Sequence, residues 1–359
     1  LPSELSNAIN KAMGIPKEEL VEKEQHLTAK YMDNFDSDTI WTVFSRDDTL
    51  TNKWEVGTPN YNFTYSAYSE PNSWDILLNR FYNGNGGISS LVSPFLDFGS
   101  VDDAILSFIN NRAMDTIQDG VFIEYSFNRG QTWKILEGTN DPGRIQWNNS
   151  FLTSVQFGGT PVLSGNSFCF AQGKSWNGFI ETEVRLPIDF NFKPEVLLRF
   201  NFSTRLDSDG NDGVSIDNIL IYDPEPLDLQ VQHYLQPTSR CNLQPDQRIE
   251  TIVKNRGLND VSTFNMRYII THRTIPGIVY NLVDVINRPI LSRDTLHILS
   301  QSTFDMTNFG DYDVQVIAEL PGDLCQENDT IKKLIENVEG CSLQFYIETS
   351  FRPNLQLPC

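Results

Sequence analysis

Histidine and cysteine are scarce in this 359-residue sequence, and neither is arranged for chemistry. The four histidines, His26, His233, His272 and His297, are scattered and form no HExxH, which excludes a zinc-protease helix. The five cysteines, Cys169, Cys241, Cys325, Cys341 and Cys359, contain no CxxC, which removes zinc ribbons and thioredoxin-type motifs. There is no GxSxG, no GxGxxG and no P-loop, and Ser164-Gly-Asn-Ser-Phe168 does not substitute for a nucleophile elbow. Positive charge is short too: 27 Lys and Arg face 47 Asp and Glu, for a net charge of -20. So acidic a surface repels nucleic acid and anionic membranes, and neither is expected as a partner. No run of eighteen apolar residues appears, so no membrane insertion is expected. A basic-then-apolar leader is also missing and the first residue is not Met, as expected of a mature or excised segment of something longer.

What the chain does have is aromatic residues and punctuation. It holds 23 Phe, 12 Tyr and 6 Trp, enough for real cores. Gly, Pro, Asn and Asp interrupt short apolar runs, the texture of an all-β protein. Residues 1–32 differ: Ser3 caps a helix-like run that ends at Gly14, and Pro16 opens a second. This predicts a short helical linker or N-terminal extension.

Strand signals follow in regular order. Ile40–Phe44, Trp54–Gly57, Ser90–Phe98 and Ala104–Ile109 read as strands, the last two as a pair joined through Gly-Ser-Val-Asp-Asp. Gly120–Ser126 alternates, with Val121, Ile123 and Tyr125 on one face; Asn128-Arg-Gly130 turns and Thr132–Leu136 returns. Val196–Phe202 and Val214–Tyr222 complete the series, which predicts a two-sheet sandwich or jelly roll over 33–224. Pro224-Glu-Pro-Leu-Asp228 reads as a linker. After it come about seven further short strands, including Arg248–Lys254, Phe264–Ile270, Tyr280–Ile286, Gly310–Ala318 and Asp329–Ile335, which fit an immunoglobulin-like sandwich over 226–338. Residues 339–359 are expected to begin a further module or form a tail. Cys241 and Cys325 flank the second sandwich and could staple it; Cys341 and Cys359 flank the tail, and Cys169 reads as a buried small hydrophobe.

One stretch asks a chemical question. Asp207-Ser-Asp-Gly-Asn211 starts like a calcium loop, but Gly210 and Gly213 fall in the wrong places and Asn218 stands where Glu should close it. Asp217 then lies among Ile216, Ile219 and Ile221, where a carboxylate is costly unless neutralised. Two answers are open: calcium held by Asp217 and Asp36, with Asp33 and Asp38 as weaker ligands, or backbone N–H donors. Two other features have bland and sharp readings. Tyr125, Trp133, Trp74, Tyr82, Trp147 and Trp176 could stack on sugars or pack a core; Glu181 and Glu183 could serve glycoside hydrolysis or be solvated strand charges.

Several motifs carry a family resemblance. Trp54-Glu-Val-Gly-Thr-Pro59, Ser93-Pro-Phe-Leu-Asp97, Asp119–Ser126 with Gly130-Gln-Thr-Trp133, and Asp212–Ile219 resemble the MAM and cleaved-adhesin-like jelly-roll modules of bacterial surface proteins exported by type IX secretion. Pro237–Leu243, Val253–Gly257, Gly310–Val314 and Gly322–Thr330 resemble the CARDB-type immunoglobulin-like module that often follows. Asn128-Arg-Gly130 departs from the usual acidic-Gly-Gly turn. The resemblance implies a Cys241–Cys325 disulfide. It also implies O-glycosylation at Asp-Thr-aliphatic triplets, on Thr39, Thr49, Thr116, Thr295 and Thr330. The function expected is a non-catalytic structural or adhesive segment at the bacterial cell surface. Its partners would be a surface glycan or protein, neighbouring modules, or its own copies in a filament. The alternative is a carbohydrate-binding module appended to a secreted hydrolase.

Overall fold

The computed structural model describes residues 29–339 apart from 38, 46–51, 62, 85–86, 102, 117, 142, 153–158, 168–177 and 206–210. The described residues fall into two compact units, 29–223 and 224–339. The expected helical segment lies outside them except at its end, where the expectation fails: Ala29–Asp33 is a strand. Its backbone groups are taken up by the last strand of the first unit, with Tyr31 opposite Ile221 and Asp33 opposite Ile219.

In chain order the first unit contains β1 (Ala29–Asp33), β2 (Thr42–Ser45), β3 (Trp54–Gly57), β4 (Ser73–Ile76), β5 (Ile88–Val92), β6 (Ile105–Ala113), β7 (Gly120–Ser126), β8 (Lys134–Ile135), β9 (Ser150–Phe151), β10 (Pro161–Val162), β11 (Ile180–Arg185), β12 (Leu197–Ser203) and β13 (Gly213–Tyr222). One sheet runs β11-β6-β13-β4-β3, with β1 also on β13; the other runs β2-β5-β12-β7-β8. Both are antiparallel, and the chain crosses repeatedly between them, as in a jelly-roll sandwich. The crossing overturns one expected pairing. Strands β5 and β6 are neighbours in sequence but lie in different sheets, β5 on β12 and β6 on β13. Leu106 and Phe108 of β6 meet Ile123 of β7 and Leu198 and Phe200 of β12 in the shared core. The Phe108 and Phe200 rings meet edge to face at 5.1 Å, a geometry worth about 0.5–1.5 kcal/mol beyond area burial.

The predicted hairpin forms as read. β7 pairs with β8, and Arg129 and Gly130 take positive φ at the turn. Strand β13 is less regular. Between Asp217 and Leu220 its register on β6 shifts, and Asn218 sits at φ 47°, a left-handed position that Asn tolerates better than most residues. This bulge resets the alternation, so Val214, Ile216, Ile219 and Ile221 all reach the core.

The second unit contains β14 (Leu229–Gln236), β15 (Arg240–Cys241), β16 (Glu250–Asn255), β17 (Phe264–His272), β18 (Val279–Ile286), β19 (Thr295–Leu299), β20 (Gly310–Glu319) and β21 (Thr330–Val338). A three-stranded sheet, β14-β16-β19, faces a five-stranded one, β15-β21-β20-β17-β18. Alternation makes the core: Met266, Tyr268 and Ile270 of β17 and Val314, Val316 and Ala318 of β20 pack with Leu229, Val231, Val253 and Ile298. β18 ends the larger sheet. Its outward residues Val279, Val283 and Val285 are 59%, 40% and 50% exposed.

The Cys241–Cys325 disulfide does not form; the two are not bonded to each other. Cys241 lies beside Val338 at the end of β21, and Cys325 precedes the start of that strand at Thr330. Nine extended residues span roughly 30 Å, far beyond the ~7 Å Cα reach of a disulfide. Cys169, Cys341 and Cys359 lie outside the described residues.

Candidate functional site

Alternation from Val214 and Ile216 turns Asp217, just before the bulge in β13, away from the core and toward the loop after Tyr61. There its charge is met by donors. Oδ2 accepts the N–H groups of Tyr68 at 2.9 Å and Ser69 at 2.8 Å. Oδ1 accepts the Asn218 N–H at 2.7 Å and the Ser69 hydroxyl at 3.0 Å. Burial still pushes the carboxyl up to about 6, against the pull of these donors. Nearby, Asp212 accepts the N–H groups of Phe63 and Thr64. Asp217 on β13 and Asp212 just before it thus clamp a loop across the outer face of the sheet.

The calcium expectation fits this geometry poorly. β1 and β13 are neighbours, as the idea required, but both oxygens of Asp217 are engaged. Both oxygens of Asp33 are engaged as well, by the Phe35 N–H at 2.9 Å and the Tyr31 hydroxyl at 3.2 Å. Asp36 keeps a buried Oδ1 with no hydrogen-bond partner. Asp38 lies outside the described residues. Among the described residues no group of three His, Cys, Asp or Glu side chains is arranged to hold a metal ion.

The same clamp recurs elsewhere. Asp119 makes a mixed version, accepting one backbone donor, the Arg205 N–H at 2.9 Å, and the Tyr82 hydroxyl at 2.6 Å. Asp141 accepts the Gly143 and Arg185 N–H groups at 3.0 and 2.7 Å. In the second unit Asp284 accepts the Gln301 and Ser302 N–H groups at 2.5 and 3.2 Å. Asp323 accepts those of Leu229 and Cys325 at 2.7 and 2.8 Å. A carboxylate that takes two backbone donors fixes two loop positions at once and satisfies groups that burial would otherwise penalise. Sequence reading singled out Asp217 alone of these; short Asp-containing loops carry no signal of which backbone will reach them.

Asp75 on β4 is the exception. Its Oδ1 accepts the Ser73 hydroxyl at 2.8 Å, but its buried Oδ2 has no partner. Burial, helped by Asp217 and Asp212, pushes it up to about 7, against hydrogen bonds from Ser215 and Ser73.

The residues nominated for sugars and hydrolysis have other work. Trp74, Tyr82, Tyr125 and Trp147 are buried in the core. The Trp133 ring carries the Arg199 guanidinium at 4.0 Å, and Arg199 pairs with Glu124 at 2.6 Å. Trp176 lies outside the described residues. Glu181 accepts the Ser107 hydroxyl at 2.8 Å, and Glu183 accepts the Tyr222 hydroxyl at 3.2 Å. Of the threonines named for glycosylation, Thr116 is exposed and Thr39, Thr295 and Thr330 are half-buried. Thr49 lies outside the described residues. No helix among the described residues is long and apolar enough to cross a membrane.

Fold and site together define an all-β protein of two sandwich units whose buried carboxylates clamp loops to sheets. No family model matches the chain, and no curated protein matches it. Among solved structures it is similar to a cleaved adhesin domain of Lys-gingipain from Porphyromonas gingivalis, at 11% identity and TM-score 0.30, over 54% of this chain and 97% of that one. It is similar to a cell surface protein domain from Methanosarcina acetivorans at 18% identity and TM-score 0.25, over 32% of this chain and 94% of that one. A glycoside hydrolase domain, Endo-D from Streptococcus pneumoniae, matches at 12% identity and TM-score 0.34, over 82% of this chain. The chain spans 37% of the length of that hydrolase structure.

Proposed function

We propose that this chain is a non-catalytic structural and adhesive segment of a large secreted multidomain bacterial protein, working at the cell surface. The observation that carries the reading is β18. It closes one side of a five-stranded sheet with eight residues, Val-Tyr-Asn-Leu-Val-Asp-Val-Ile. It contains no Lys or Pro, the residues that commonly blunt an edge, and its outward face is lined by valines. Such an edge is a template for strand addition, with main-chain bonds giving affinity and alternate side chains giving selectivity. The occupant would be a strand of a second copy in a filament, or one from another surface protein. The carboxylate clamps support a rigid scaffold beneath it, and the acidic surface suits a secreted protein.

Type IX export, O-glycosylation, with Thr116 the most accessible of the described threonines named for it, and calcium at Asp36 and Asp217 belong to this proposal as its finer parts. The carbohydrate-binding alternative stands second, because the described aromatics named for it are buried or covered by Arg199. Sedimentation of the wild-type chain and an edge-blocked variant, with a glycan array beside it, tests the reading.

A further inference from the structure

The end of the last strand of the second unit is laid against a short segment that carries a cysteine. Arg240 lies opposite Asn337 and Cys241 opposite Val338, in a parallel pair. Side chains hold the two segments in this register. The Ser239 hydroxyl accepts the Glu336 N–H at 3.0 Å, and Asn337 Oδ1 accepts the Leu243 N–H at 3.2 Å. Asn337 is itself anchored, its Nδ2 donating to the Met306 and Thr307 carbonyls at 3.0 Å. Asn242 turns at φ 56°, so β15 stops at Cys241.

Cys241 is disulfide-bonded. Cys325 precedes the far end of β21 and is out of reach, so the partner is Cys169, Cys341 or Cys359. Chain length separates these three. Val338 already sits beside Cys241, and neighbouring strands lie about 4.8 Å apart. Cys341 follows Val338 by three residues, a reach of about 10 Å at most. Continued straight, it would overshoot the ~7 Å Cα limit of a disulfide, so the chain must turn back. Gly340 stands where that turn is needed. Cys359 is eighteen residues further on, a costlier loop to close, and Cys169 belongs to the sequence of the first unit.

We infer that Cys241 and Cys341 are joined, and that the bond carries tension past the core strands of the second unit. Its formation removes two protons and two electrons from the two thiols. A disulfide-bearing oxidant of the secretory route takes both by thiol–disulfide exchange and leaves as its dithiol. The bond closes a loop holding β16 to β21. A pull on the two ends of the unit then runs through β14, across the sulfurs at Cys241 and out beyond Cys341. About 100 residues are bypassed, which withholds on the order of 330–360 Å of extension. The mechanical part rests on the reading of a surface segment under strain; the bond itself does not.

The test begins with mass spectrometry of chymotryptic fragments of the full chain, thiols blocked and disulfides left intact. Cleavage at Phe345, Tyr346 and Phe351 parts Cys341 from Cys359. Cys241 should be found linked to the Cys341 fragment; Cys241 linked to Cys169 or Cys359, or blocked as a thiol, overturns the inference. The full chain is then pulled between tags fused to its ends. Oxidised, the second unit should lengthen by about 60 Å; reduced with dithiothreitol, by about 350–400 Å. The first unit should give its step of roughly 650 Å in both states. A long step from the second unit before reduction, or none after it, overturns the tension path. Reduction uses the unaltered chain, so a Cys241→Ser variant that fails to fold does not block the test. A chain that never self-associates would defeat the filament reading and leave the bond standing.

Discussion

Replacing Asp75 by Asn should reverse the sign of its effect on stability between pH 4 and pH 8. Asp75 is fully enclosed, and its pKa is raised to about 7, first by burial and then by Asp217 and Asp212. Its unfolded value is about 3.9. A carboxyl raised in the folded state contributes its full stability below the unfolded value and loses it as pH rises through the folded one. Three units at 1.36 kcal/mol each put the loss at pH 8 on the order of 4 kcal/mol. Asparagine escapes that loss, but it sets an NH2 where Oδ2 has no partner, at about 1–3 kcal/mol at every pH. The variant should therefore be the less stable protein at pH 4 and the more stable by roughly 2 kcal/mol at pH 8. Urea unfolding followed by tryptophan fluorescence suits the question, because all six tryptophans, Trp41 to Trp176, precede the second unit. A stability difference of one sign and one size at both pH values would refute the reasoning.

Two further substitutions probe the bulge of β13. Asp217→Ala strands the N–H groups of Tyr68, Ser69 and Asn218, and urea unfolding should show a loss of about 3 kcal/mol; a loss below about 1 kcal/mol would show that the loop is not held this way. Asn218→Val must carry a β-branched side chain at φ 47° and should be at least about 1 kcal/mol less stable than Asn218→Gly, so equal stabilities by thermal unfolding would contradict the left-handed assignment.

Much of the fold was legible because its signals are local. Val121, Ile123 and Tyr125 mark one face, and β7 runs where they predict, although Phe122 on the other face is buried as well, with Ile88, Leu152 and Val162. Asn128-Arg-Gly130 turns because two successive positive φ angles suit it. Strands β17 and β20 follow their period-2 patterns closely. Pairing was less legible: Ser90–Phe98 and Ala104–Ile109 carry the same apolar signal whether they share a sheet or face each other across a core. Asp217 marks the same boundary. Its misfit among isoleucines was visible, but the donors that answer it lie in Tyr68 and Ser69, which no spacing connects to it. Asp228 sat inside a stretch that reads as a linker, so its burial had no sequence signal at all.

The central claim rests on the exposed valines of the edge strand β18, and sedimentation velocity of the full chain over a wide concentration range tests it most directly. The wild type should self-associate with rising concentration, and Val283→Lys with Val285→Lys should hold it monomeric while leaving its unfolding transition in place. A wild-type chain that stays monomeric throughout and binds a glycan tightly as a monomer would contradict the account.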